Sequence, residues 1–201
     1  MSDEIKAAYD VGAVEYRSRY DSIPPRVEDV DRTFCFVDTS NPMVLEIGCA
    51  YGREAQYITT KTDSYLGIDI SSEYINMARR EVPHGTFVVR DAVAYDYPVG
   101  LDAVFAFASL LHSPVEDVQT VLERVSVALN PGGVMFISLK RRLQYETDIV
   151  DDGVTKRRFY YYTRQVMQHI IPSDLVEVFY DEQSREEEWF TMILQKTDQN
   201  T

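Results

Sequence analysis

Apolar and polar positions fall in blocks along this chain, and the period of the blocks changes in a regular order. Near the start, Ile5, Tyr9, Gly12, Tyr16 and Tyr20 recur along one side at helical spacing, which predicts a helix over 3–20. Pro24-Pro25 stops any continuation, because proline lacks a backbone donor and clashes with the preceding turn. Short apolar runs of strand length follow near 43–47, 64–69, 86–90, 101–107 and 133–139. Helical patterns lie between them near 53–61, 72–82 and 115–129. Apolar strands alternating with helices imply a parallel sheet covered on both faces. After residue 139 a charged segment leads to a helix near 163–171 and strands near 175–181 and 188–196. The short connection between those last two predicts an antiparallel hairpin.

The first apolar run, Val44-Leu45-Glu46-Ile47, passes straight into Gly48-Cys49-Ala50-Tyr51-Gly52. Gly48 and Gly52 can take positive φ and let a ligand approach the backbone. A helix N-terminus just beyond would offer unpaired N–H groups. A dinucleotide site needs G-x-G-x-x-G, yet the second and third glycine places hold Ala50 and Arg53. The spacing therefore argues against it. The next two strands, Ser64 to Asp69 and Thr86 to Asp91, each end in an acid. Carboxyl ends of strands are where α/β sheets place ligand contacts, and a carboxylate at Asp69 can accept both hydroxyls of a ribose. Ser71 or Ser72 then caps a helix with Glu73 in its first turn.

Taken in order, these segments resemble the motifs of class I S-adenosylmethionine-dependent methyltransferases. The resemblance is carried by E-x-G-x-x-x-G (Glu46, Gly48, Gly52) and by the two acid-ended strands. It continues in D-x-V-x-x-x-x-S-L-L-H-x-P from Asp102 to Pro114 and in L-x-P-G-G-x-x-x-I from Leu129 to Ile137. Tyr9-Asp10-x-x-Ala13-x-x-Tyr16 and the closing Trp189 to Leu194 also look like this family, so nearly the whole chain is covered. The implied fold is α/β, Rossmann-like and doubly wound, with a mostly parallel seven-stranded sheet and a C-terminal antiparallel hairpin. It would form a single methyltransferase domain over 1–201, with 1–30 as an N-terminal helical cap. The implied cofactor is S-adenosyl-L-methionine. Its expected contacts are Gly48, Cys49, Ala50 and Gly52 in the first loop, Asp69 and Ile70 at the ribose, and Asp91 and Ala92 at adenine. Ala106 and Phe107 end the fourth strand, where a backbone carbonyl could meet the cofactor's ammonium group. Glu46 is expected to support the loop through a backbone group, and Tyr16 to cover the cofactor from the first helix.

Methyl transfer is an in-line displacement in which the cofactor supplies the difficult chemistry and the protein aligns the nucleophile. A general base is needed only where the acceptor must lose a proton early. His112 lies near a strand's carboxyl end and is the candidate for that role, with an unperturbed pKa of about 6.5. The alternative is a helix-start histidine that packs or caps. His84 falls in a turn and His169 in a helix. The segment 140–162 carries six basic residues, Lys140-Arg141-Arg142 and Lys156-Arg157-Arg158, followed by Phe159-Tyr160-Tyr161-Tyr162. It suggests a flexible substrate lid in which Arg157, Arg158 and Tyr160 bind an anionic small molecule. A solvated loop with a strand or helix edge is the alternative.

Composition narrows the partners. At 201 residues and 45% hydrophobic, the chain is expected to form one globular domain. A net charge of −13 counts against nucleic acid, whose binding is driven by basic residues. The five acids between Asp181 and Glu188 suggest a solvated turn. Cys35 and Cys49 give neither a disulfide framework nor metal-ligand spacing, so no metal is expected and a reducing cytoplasm is the default. No apolar run approaches a bilayer span, and the polar Met1-Ser2-Asp3-Glu4 shows no signal-peptide pattern. The expectation is a cytoplasmic methyltransferase acting on a small molecule. Methylation of RNA or protein, a non-catalytic cofactor-binding module and a nucleotide-dependent oxidoreductase are the alternatives. The acceptor atom and the oligomeric state stay open.

Overall fold

The computed structural model describes residues 3–184 and 187–197. Two helices, α1 (Asp3–Tyr20) and α2 (Val27–Phe34), precede an alternating series. This runs β1 (Met43–Ile47), α3 (Ala55–Ile58), β2 (Ser64–Asp69), α4 (Ser72–Glu81), β3 (Thr86–Val89), β4 (Leu101–Phe107), α5 (Val115–Ala128) and β5 (Leu129–Lys140). Then come β6 (Glu146–Asp151), β7 (Lys156–Tyr161), α6 (Arg164–Ile170), β8 (Leu175–Ser184) and β9 (Glu188–Lys196).

Seven strands form one sheet in the order β3-β2-β1-β4-β5-β9-β8. The pairs β1–β2, β1–β4, β2–β3 and β4–β5 are parallel, while β9 runs antiparallel to both β5 and β8. This is the mostly parallel, Rossmann-like sheet with a C-terminal antiparallel hairpin that the motif order implies. From β1 the chain winds outward to β2 and β3, then returns to β4 on the other side. That reversal leaves a crevice at the carboxyl ends of β1 and β4, the usual ligand position in such sheets.

The alternation of side chains along each strand fills a core on both faces. Val44, Ala103, Phe105, Val134 and Phe136 pack with Val30 of α2, Ala55 and Ile58 of α3, and Ile75 and Ala78 of α4. Leu45, Ile47, Val104, Met135 and Ile137 pack on the other face with Val118, Val121, Leu122 and Val125 of α5 and with Phe159 of β7. Each fully buried side chain of this size contributes about 1.5–3 kcal/mol. Ser71 supplies the cap of α4 by accepting from Tyr74 N, and Thr163 caps α6 in the same way through Val166 N.

Two expected elements differ. The helix near 53–61 contracts to Ala55–Ile58, because Gly52 at φ +88° turns the chain before it and the 60 and 61 amides bond three residues back. The flexible lid over 140–162 is instead largely a paired hairpin, β6 against β7, with the turn at Gly153. Five of its six basic residues are paired nearby: Arg141 with Glu182 and Glu188, Arg142 with Glu146 and Asp148, Lys156 with Asp151, Arg157 with Asp152, and Lys140 with Glu187. The acidic stretch after Asp181 is mostly strand, β8 extending to Ser184 and β9 resuming at Glu188, while Arg185 and Glu186 lie outside the described residues.

Candidate active site

A cavity of about 170 Å³ opens along the carboxyl ends of β3, β2, β1 and β4, beneath α1. Its floor is backbone. Gly48 N and Cys49 N both donate to Ile68 O, at 2.7 and 3.0 Å, tying the first loop to β2. Gly48 (φ +72°) and Ala50 (φ +47°) are left-handed. A Cβ on Gly48 would sit 2.2 Å from Ser109 Cβ, so only glycine fits between the β1 and β4 loops.

Asp69 lies on the cavity wall with both carboxylate oxygens engaged. Oδ2 accepts from Ala50 N at 3.0 Å, and Oδ1 accepts from Ser71 N at 2.8 Å. Burial pushes its pKa up to about 6, and the backbone N–H groups of Ser71, Ala50 and Ile70 oppose that rise. Two oxygens have about four acceptor positions, so these bonds leave room for ligand hydroxyls.

Of the residues expected to hold a cofactor, Gly48, Ala50, Asp69, Ile70, Ala92 and Phe107 line this cavity. The others lie behind it. Glu46 is buried and accepts from the Tyr65 hydroxyl on β2, not from a backbone group; burial and the Glu54 charge raise its pKa well above the carboxylate range. Cys49 is buried, with its thiol over Gly67. Gly52 faces Val82 and Ala78 of α4, so its missing Cβ serves loop packing. Asp91 Oδ1 accepts from Val93 N and shapes the turn after β3. Ala106 is fully buried in the core. Tyr16, fully buried, does not cover the cavity but reaches the hairpin turn, where it bonds Asp152 and Thr155.

Residues that the sequence reading passed over complete the wall: Tyr9 and Tyr20 from α1, Tyr51, Arg53 and Glu54 from the first loop, Tyr74, Arg90 and Ser109. Ser109 stood in the quoted motif and Tyr9 on the helical stripe, so both carried a signal. Tyr51 Oη and Ser109 Oγ are buried with no hydrogen-bond partner. Unmet buried hydroxyls on a cavity wall suit a polar ligand. An S-adenosylmethionine fits this donor set: a carboxylate for its ribose, and hydroxyls with the Arg53–Glu54 pair for its charged amino-acid end.

The acceptor-side expectations change more. His112 does not line the cavity. It lies behind Tyr9, 2.7 Å from its hydroxyl, with the other ring nitrogen 2.6 Å from Arg158 O. Burial lowers its pKa to about 3; the Arg158 carbonyl opposes this, while the charges of Arg157 and Lys140 add to it. Arg157 and Arg158 do not form a clamp, because neighbouring strand residues point to opposite faces. Arg157 is buried under the Tyr16 and Tyr9 rings, donating to Tyr9 Oη and paired with Asp152, whereas Arg158 is exposed and contributes its carbonyl. Tyr160 stacks on Tyr145, away from the cavity. The anion-binding lid thus loses its basis. Among the described residues no group of three or more metal-ligating side chains gathers, and no helix is long and apolar enough to cross a membrane.

The family model described as a methyltransferase domain matches residues 44–133. A fatty-acid O-methyltransferase of Mycolicibacterium smegmatis is 34% identical over 114 residues, 54% of this chain and 40% of that protein. A trans-aconitate 2-methyltransferase of Afipia carboxidovorans is 28% identical over 102 residues, 50% of this chain and 39% of that protein. The chain thus spans about two fifths of the length of these curated relatives. In fold, it is similar to magnesium protoporphyrin IX methyltransferase from Synechocystis PCC 6803 with bound S-adenosylmethionine: TM-score 0.75, 12% identity, 98% of each chain covered. Over residues 44–133 the chain is thus similar to a methyltransferase domain, and in fold it is similar to solved S-adenosylmethionine-dependent methyltransferases.

Proposed function

We propose that this protein transfers a methyl group from S-adenosylmethionine to a small-molecule acceptor. The observation that carries the reading is the Asp69 carboxylate, held on the cavity wall by two backbone N–H groups beside the glycine loop. The relatives named as methyltransferases of small molecules support the acceptor class. The cavity's roof of α1 and the paired charges of the hairpin speak for an enclosed acceptor over a nucleic acid. Two free cysteines suit a cytoplasmic setting.

The bound cofactor supplies a methyl group already activated by the positive charge on sulfur. Asp69 would hold the ribose hydroxyls, and the Gly48–Ala50 backbone would line the cofactor's side of the cavity. Ile70 would lie with Asp69 at the ribose and Ala92 at the adenine, with Asp91 shaping the turn that carries Ala92. Phe107 closes the far wall. Tyr9 meets the acceptor, and His112 acts through Tyr9 as a positioning residue. Alignment of the two reacting groups is where most of the rate gain arises.

The test is release of S-adenosylhomocysteine over a panel of amine, hydroxyl and carboxylate small molecules, with total RNA and unfolded protein as comparators. Turnover with a small molecule is expected. Turnover with RNA or protein alone would replace this reading.

A further inference from the structure

We infer that Asp10 of α1 is a positioning residue for the cofactor, acting through Ser71 on the Asp69 carboxylate that would hold the ribose. This deepens the proposed function and rests on its placing of the cofactor at Asp69. Three bonds at one serine carry it. Ser71 is fully buried at the N-terminus of α4. Its N–H donates to Asp69 Oδ1 at 2.8 Å. Its hydroxyl oxygen accepts from Tyr74 N at 3.2 Å and so caps α4. A hydroxyl has one hydrogen, and Ser71 gives it to Asp10 Oδ1 at 2.7 Å, since a carboxylate only accepts. One residue thus joins α1 to the carboxylate on the cavity wall. Asp10 itself does not line the cavity, so it reaches a ligand only through Ser71 and Asp69.

Both Asp10 oxygens are engaged, Oδ1 by Ser71 and Oδ2 by Lys6 one turn earlier. Burial works against its charge, but the bonds from Lys6, Ser71 and the Glu73 N–H outweigh it and lower its pKa. Asp10 is therefore ionised wherever Asp69 titrates. Its charge reaches Asp69: burial raises the Asp69 pKa to about 6, the N–H groups of Ser71, Ala50 and Ile70 hold it down, and Asp10 adds to the rise. Glu46 of β1, Cys49 of the first loop, Tyr9 of α1 and Tyr74 of α4 also feel Asp69, and burial favours the neutral form of each. Arg53, Glu54 and Arg90 share the cavity wall. Asp10 thus has two effects of opposite sign. Its bond to Ser71 holds in place the N–H that aims Asp69, and its charge makes Asp69 harder to ionise. A helix contact that merely stabilised the fold would produce neither at Asp69.

Carbon-13 NMR of the Asp69 carboxyl reads the charge effect without cofactor, the signal being assigned by its loss in Asp69→Asn. A midpoint at about pH 6 is expected in the wild type, falling by at least about half a pH unit in Asp10→Asn. Glu15→Gln, which removes an exposed charge from the same helix, is expected to leave it in place. In a second arm, S-adenosylhomocysteine is titrated calorimetrically at about pH 8, where Asp69 is ionised. Asp10→Ala is expected to bind it about tenfold more weakly, and Asp10→Asn, whose amide oxygen still accepts from Ser71, to recover most of that loss. The ratio of Asp10→Asn to wild-type affinity is expected to rise about two- to threefold on going to about pH 5. An unmoved Asp69 midpoint in Asp10→Asn, or Asp10→Ala binding as tightly as the wild type, would overturn the inference. No binding by the wild type, with the midpoint shift present, would sink the function reading and leave the link from Asp10 to Asp69 standing.

Discussion

Under the proposed function the cavity has a cofactor half and an acceptor half, and the two are built by opposite means. On the cofactor side, the loop after β1 and the ends of β2 and β3 are fixed by backbone N–H donors: those of Gly48 and Cys49 to Ile68 O, that of Arg90 to Asp69 O, and those of Ala50 and Ser71 to the Asp69 carboxylate. Most partners there lie within about one βα unit of each other. On the acceptor side, α1, the turn after β4 and the β6–β7 hairpin are joined by side chains. Tyr9 meets His112 across 103 residues and Arg157 across 148. The first half rests on small residues and one acid. The second requires each tyrosine, histidine and arginine to keep its partner, since a buried polar group left alone is costly.

The contrast can be broken most forcefully at Gly48. Gly48→Ala would hold a left-handed alanine with its Cβ 2.2 Å from Ser109 Cβ. The backbone strain and overpacking together are expected to cost about 3 kcal/mol or more and to abolish cofactor binding, as read by urea unfolding and calorimetry. Next comes Arg157→Met, which leaves Asp152 and Tyr9 without their cation. A loss of about 2–3 kcal/mol is expected, with cofactor affinity changed less than about threefold. A large loss of affinity would show that the halves are coupled.

A third effect is pH-dependent. The folded pKa of Asp69, about 6, lies above the unfolded value, so its carboxylate is fully present only above pH 6. Ribose recognition needs that carboxylate, and cofactor affinity is expected to fall about tenfold between about pH 7 and about pH 5. The sign for stability is opposite. The folded state of the free protein holds the proton more tightly, so Asp69's contribution declines as pH rises from about 4 to about 6. A flat affinity profile would remove Asp69 from the site. The smallest effect belongs to Arg158→Ala. Its side chain is exposed and its carbonyl survives the change, so stability should move by less than about 0.5 kcal/mol and turnover should not change.

The same division explains what was legible in the sequence. The alternating strands and helices, the Gly48 turn and the Asp69 strand end follow from local patterns of apolar and small residues. The β6–β7 hairpin was not legible. Glu146 to Asp151 is largely exposed and charged, so it lacks the half-buried alternation that marks a strand. The partners of Arg157 and His112 were hidden for another reason. Strand alternation sends Arg157 inward and Arg158 outward only once β7 is known to be a strand. Nothing near His112 in the sequence says that Tyr9 will stand between it and the cavity. Arg90, which lines the wall, was masked by the more conspicuous Asp91 beside it.

The most direct test of the cofactor site is a calorimetric titration of S-adenosylhomocysteine into the wild-type protein and Asp69→Ala, with NAD as the control ligand. The account predicts micromolar binding to the wild type, its loss in a variant that remains folded, and no heat from NAD. Equal binding by both proteins, or binding of NAD in place of S-adenosylhomocysteine, would contradict it.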